Sequence, residues 1–224
     1  MQEKKGYVSF VLHAHLPFIH HPESDDYLEE SWLYEAISET YLPLLRNFKK
    51  LVDEGVDFRI TMSMTPPLLS MLDNKLLQKK YINYLKQLIE LSEKEIKRTA
   101  GDERLNKLSH YYYERYSDDL HLFKDVFKCN IIQGFKDFQD SGVLAIITCG
   151  ATHGYFPILY VNEKTVKAQI AVGVQTYERY FGKKPRGIWL PECGYVPEAD
   201  KYLKEFGIEY IITESHGILY ADPT

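Results

Sequence analysis

Cysteine is scarce in this chain. Its three cysteines, Cys129, Cys149 and Cys193, are odd in number and widely spaced, and no C-x-x-C pair exists. Neither a disulfide framework nor a structural zinc site is expected from such spacing. Long apolar runs are missing too, and no stretch approaches membrane-spanning length. Met1 to Lys5 leads directly into the first apolar segment, too short a run for a signal-peptide core. The cytoplasm is the expected location, with no membrane partner. Excess positive charge is absent: the net charge of −5 leaves no footprint for nucleic acid or an anionic surface. No glycine-rich phosphate loop follows the first apolar segment, which argues against a dinucleotide-binding fold. There is no internal repeat and no low-complexity linker.

What the chain does have is a recurring unit. Five short apolar segments read as buried strands: Tyr7–Leu12, Phe58–Met62, Val143–Thr148, Gly187–Leu190 and Ile208–Ile212. Four of them run into His or Glu at their C-terminal ends. The first meets His13 and His15, the third His153, the fourth Glu192 and the fifth Glu214 and His216. Parallel α/β folds keep their chemistry at that rim. Glu192 stands out, because a carboxylate among Trp189, Leu190, Pro191, Cys193 and Tyr195 costs desolvation unless it has a partner or a task. A Glu that pairs with an Arg or caps a helix is the plainer explanation; the repetition of the pattern makes an active site the better one.

Helical periodicity fills the gaps. Ser31–Glu54 carries apolar residues at helical spacing, and Pro43 within it predicts a kink or two helices, with Gly55 as a stop. Asn74–Asp140 is long for one crossover and reads as two or three amphipathic helices broken at Ala100-Gly101-Asp102. Thr165–Phe181 and Pro197–Phe206 complete the series. The expected organisation is residues 1–73 and 141–224 as barrel segments, with residues 74–140 as an inserted helical subdomain. The order implies parallel strands with right-handed crossovers. Chemistry spread over several strand ends favours a barrel over an open sheet, yet five strands are too few to close one. The 18 tyrosines fit either a tyrosine-rich core or sugar binding, in which C–H faces stack on rings.

Three motifs carry a family resemblance: His13-Ala14-His15-Leu16-Pro17-Phe18, Gly150-Ala151-Thr152-His153-Gly154-Tyr155-Phe156-Pro157, and Trp189-Leu190-Pro191-Glu192-Cys193-Gly194-Tyr195. In this order and spacing they resemble the N-terminal part of the catalytic domain of glycoside hydrolase family 57. The stretch Tyr27–Ala36 resembles the 1,4-α-glucan branching enzymes within it. The resemblance implies an α/β fold, an incomplete (β/α)7-type barrel of parallel strands with a helical insertion. It implies a retaining mechanism with no cofactor and no metal, acting on an α-glucan such as amylose, glycogen or a maltooligosaccharide. Glu192 would be the nucleophile. His13, His15, Trp32, His153, Trp189, Cys193 and His216 would bind substrate. A retaining enzyme needs a second carboxylate about 5 Å from the first. The family's acid is an Asp in a later motif, so this segment by itself is expected to be inactive, needing a C-terminal half or a partner chain.

Two other readings stand beside this one. His13-Ala14-His15 at a first barrel strand also fits a metal-dependent amidohydrolase, with His153 and His216 completing the ligands. Alternatively, the chain is a non-catalytic glucan-binding remnant.

Overall fold

The computed structural model describes residues 6, 8–24 and 27–222. Five strands appear in chain order: β1 (Val11–Ala14), β2 (Ile60–Met64), β3 (Leu144–Cys149), β4 (Gly187–Trp189) and β5 (Tyr210–Ile212). All pairings are parallel, and the spatial order is β1-β2-β3-β4-β5. The sheet curls through 190°, half of a barrel. This is the α/β architecture of an incomplete barrel that the sequence implies. The first strand lies later than Tyr7–Leu12; Tyr7 falls outside the described residues, and pairing begins at Val11, opposite Thr61.

The helices are α1 (Leu28–Ala36), α2 (Leu42–Asp53), α3 (Pro66–Asp73), α4 (Lys75–Arg98), α5 (Glu103–His121), α6 (Ile131–Asp140), α7 (Phe156–Leu159), α8 (Glu163–Phe181), α9 (Asp200–Glu205) and α10 (Ser215–Leu219). Pro43 does not split α1 from α2 outright. A wide π-helical turn, Ile37–Tyr41, joins them and places Pro43 at the start of α2. The wider turn relieves the clash of its ring with the preceding turn.

Two compact units result. One comprises Met1–Phe18, Phe58–Ser70 and Phe138–Thr224 and contains the sheet; the other comprises Ile19–Asp57 and Met71–Asp137 and is helical. In the first, α8 lies on one face of the sheet. Val166, Ile170 and Val174 pack with Ile188, Leu190, Leu203 and Ile208 in a core with little or no solvent exposure. Thr148 faces this helix and donates to the Gly173 carbonyl at 2.9 Å. Because side chains alternate along a strand, Ile147 and Cys149 face the opposite, inner side of the curl. Gly173 is required by the packing: a Cβ there would sit 2.2 Å from the Cys149 carbonyl oxygen.

The helical unit has its own core, including Leu33, Tyr41, Leu45, Phe48, Tyr81, Phe123 and Phe135. A buried ion pair sits in it. Lys80 meets Glu30 at 2.8 Å and also donates to the carbonyls of His21 and Ser24 at 2.8 and 2.5 Å. The second Glu30 oxygen accepts the His21 N–H, and the Tyr34 hydroxyl donates to the first. Burial opposes ionisation of Glu30, but these donors outweigh it and hold its carboxyl below the usual range. Every lone pair of a buried charge needs such a partner. The result is that the segment around His21 and Ser24 is tied to α1 and α4.

Candidate active site

The ends of β1, β2, β3 and β4 build the site. His13 lies opposite Ser63 in the β1–β2 register, and Cys149 opposite Trp189 in the β3–β4 register. Alternation puts His13, His15, Ser63, Thr65, Cys149 and Trp189 on the inner face. The rings stack into one wall. Trp189 lies 4.4 Å from His13, centroid to centroid, and nearly parallel to it; His13 is 5.9 Å from His15 and 5.3 Å from His153. His15 and His153 are 3.7 Å apart.

Each histidine is anchored through Nδ1. His13 meets the Ser63 hydroxyl at 2.5 Å, His15 the Thr65 hydroxyl at 3.1 Å, and His153 the Cys149 thiol at 3.1 Å. The other edge of His153 reaches Glu192, with Nε2 to Oε1 at 3.3 Å. His153 is nearly enclosed, with 7% of its side chain exposed, whereas the Glu192 carboxylate is 76% exposed. That contrast suits a carboxylate held from one side and open to an incoming molecule on the other.

The electrostatics favour neutral rings. Burial is the largest cause lowering His13 and His15 to about 4; proximity to His153 adds to it, and the Glu192 charge opposes it. His153 is also lowered by burial, against the pull of Glu192. The Cys149 thiol, fully buried, is pushed up to about 12. Cys193 is raised by burial, then by the charges of Glu214 and Glu192.

Backbone strain concentrates here. His153, Glu192 and Cys193 all have positive φ, at 57°, 51° and 55°. Non-glycine residues pay about 1 kcal/mol or more for this conformation, and it clusters at functional sites. The loops are clamped in place. Gln169 on α8 accepts the Thr152 N–H at 2.9 Å and donates to its hydroxyl at 2.7 Å. Tyr155 lies over Gly194, where a Cβ would come within 2.3 Å of the ring. The second and third motifs are therefore fitted to one another. Beside His15 and His153 a cavity of about 400 Å³ opens, lined also by Phe18, Pro66, Pro67 and Thr152.

Of the residues singled out in the sequence, His13, His15, His153, Trp189, Cys193 and Glu192 assemble at this rim. His216 is exposed on α10 and takes no part in the ring contacts. Trp32 belongs to the helical unit, on α1, and is 46% exposed. Among the described residues no group of three or more His, Cys, Asp or Glu is placed to hold a metal ion. That arrangement of donors weighs against the amidohydrolase alternative. Ser63, Thr65 and Cys149 were not foreseen. The signal was present for two of them: His-Ala-His and Ser-Met-Thr end adjacent strands with the same two-residue spacing.

Residues 9–223 match glycosyl hydrolase family 57. The chain belongs to this family. It is 38% identical, over 94% of its length, to a 1,4-alpha-glucan branching enzyme of Thermococcus kodakarensis, and covers 33% of that protein. Among solved structures, an alpha-amylase from Thermotoga maritima is 47% identical with a TM-score of 0.91; the match covers 96% of this chain and 40% of that one. A branching enzyme of this family from Pyrococcus horikoshii is 35% identical with a TM-score of 0.89, over 99% of this chain and 44% of that one. The chain thus spans between a third and a half of the proteins it resembles. Among the described residues no helix is long and apolar enough to cross a membrane.

Proposed function

We propose that this chain supplies the nucleophile half of a retaining α-glucan-active site, with Glu192 as the nucleophile, in a protein that branches α-glucans. The observation that carries this reading is the placement of Glu192: exposed on one side, strained in its backbone, and bonded on the other side by a neutral His153. One carboxylate oxygen attacks the anomeric carbon, the glycosidic C–O bond breaks, and the leaving oxygen takes a proton from a second carboxyl. That second group comes from outside the residues described. The 6-hydroxyl of an acceptor glucan then attacks the same carbon, losing its proton to the second carboxylate and releasing Glu192. His13, His15 and His153 bind sugar hydroxyls, and the Trp189 ring gives the wall an apolar face.

The likeness to the Thermotoga maritima alpha-amylase supports a second reading, in which water replaces the acceptor hydroxyl. Incubating the whole protein with amylose separates the two. Branching raises the count of α-1,6 linkages with reducing ends constant; hydrolysis raises reducing ends alone. Glu192→Gln should abolish either. Turnover retained by this variant would remove Glu192 from the mechanism. Glucan binding without turnover, before and after the substitution, would mean a binding remnant.

A further inference from the structure

We infer that Ser63, Thr65 and Cys149 are positioning residues that hold His13, His15 and His153 in the neutral form protonated at Nε2. Three side-chain hydrogens here have nowhere else to go. Ser63, Thr65 and Cys149 are each 0% exposed. The side chains of Ser63 and Thr65 have a single hydrogen-bond partner each among the described residues, the Nδ1 of His13 and of His15. A hydroxyl can donate as well as accept, but its one hydrogen needs an acceptor. If Nδ1 carried the proton, the hydroxyl would only accept, and its own hydrogen would be left without an acceptor on a side chain that solvent does not reach. A buried donor left unmade is strongly disfavoured. The hydroxyl therefore donates, Nδ1 accepts, and the ring proton resides on Nε2. The Cys149 thiol stands in the same relation to His153 at 3.1 Å, and its burial keeps the S–H intact.

The consequence is a row of three ring N–H donors carrying no net charge. One of them is visible at work: with Nδ1 accepting from the thiol, His153 Nε2–H donates to Glu192 Oε1 at 3.3 Å. A neutral donor orients the carboxylate without the full charge neutralisation an imidazolium would bring, which would blunt a nucleophile. The other two rings offer N–H to hydroxyl oxygens. This role for the donors rests on the glucan reading above, whereas the tautomers themselves do not.

The test is a long-range ¹H–¹⁵N correlation spectrum of the histidine rings in the whole protein at pH 7, which distinguishes the two neutral tautomers by their nitrogen shifts. His13, His15 and His153 should all show the Nε2–H pattern. Thr65→Val should move the His15 ring toward a tautomer mixture and leave His13 and His153 unchanged, while Thr65→Ser restores the original pattern. Cys149→Ala removes the Nδ1 anchor of His153 while Glu192 still accepts its Nε2–H, so that ring should keep its Nε2–H pattern and kcat should fall more than KM rises. An Nδ1–H pattern for any of the three rings in the unaltered protein would overturn the inference, as would an unshifted His15 in Thr65→Val. The spectrum needs no substrate, so a failed glucan assay would count against the proposed function and leave this result standing.

Discussion

Gly173 offers the sharpest test of how α8 supports the rim at the strand ends. An alanine in a helix interior is ordinarily better than glycine by about 1 kcal/mol. Here a Cβ would lie 2.2 Å from the Cys149 carbonyl oxygen, a backbone atom fixed by the sheet. Carbon and oxygen settle at roughly 3.3 Å or more, so the helix must withdraw by about 1 Å. Val166, Ile170 and Val174 lie on the same face and lose contact with Ile188 and Leu190 as it does. A gap of that size forfeits about a quarter to a half of each dispersion contact. Overpacking of this kind costs about 1–3 kcal/mol, and the helix propensity offsets about 1 of it. Gly173→Ala should therefore lower the urea midpoint of the whole protein by the equivalent of up to about 2 kcal/mol. Gly101→Ala is the control, since nothing lies within 4 Å of a Cβ there. A midpoint raised by Gly173→Ala, as the helix propensity alone would give, would refute this packing.

Other expectations follow from separate parts of the molecule. Lys80→Met leaves the Glu30 carboxylate buried beside a methyl group and should destabilise by about 3–5 kcal/mol; adding Glu30→Gln should recover part of it, and a double variant no better than the single one would contradict the pairing. Asn74 accepts from the Leu76 and Leu77 N–H groups at 2.9 and 3.1 Å at the start of α4, so Asn74→Ala should cost about 1 kcal/mol in a denaturation experiment and Asn74→Asp very little. For His13 and His15 the folded value of about 4 lies below the unfolded 6.5. Between these limits the unfolded chain binds more protons, so stability is complete above pH 6.5 and declines as pH falls toward 4. An unfolding midpoint that stays flat for these rings, judged against a His13→Gln/His15→Gln variant, would refute that sign.

How much of this was readable in advance depends on what each feature needs. The five strands and their polar ends follow from local apolar runs, and parallel pairing follows from the alternation with helices. Pro43 signals a break, but only packing decides that the break is a wide turn within a continuous helical path. Among the short helices, α3 and α7 carry too few residues to show a period. Glu192 was legible as an isolated carboxylate in apolar company. Its partner His153 was legible as a motif residue, but the bond between them depends on the backbone strain at both positions, which no composition rule reports. The anchoring of His13 and His15 needs the β1–β2 register, because it joins residues fifty positions apart, whereas His153 is anchored within its own segment by Cys149.

The order of the strands in the sheet is also their order in the chain. Such a sheet can be assembled during synthesis, each new strand adding to the edge left by the one before. The step from β2 to β3 is the exception. Their ends, Met64 and Leu144, are separated by the long helical stretch, and that loop must close before pairing gives any return. Closure entropy grows only as the logarithm of loop length, so folding of the intervening helices first is the simplest way to shorten it. Refolding of the whole protein from denaturant, probed by pulsed hydrogen exchange, should show α4 (Lys75–Arg98) protected before any of β3 (Leu144–Cys149). The reverse order would mean that the rim carrying His153 is laid down before the helices that precede it.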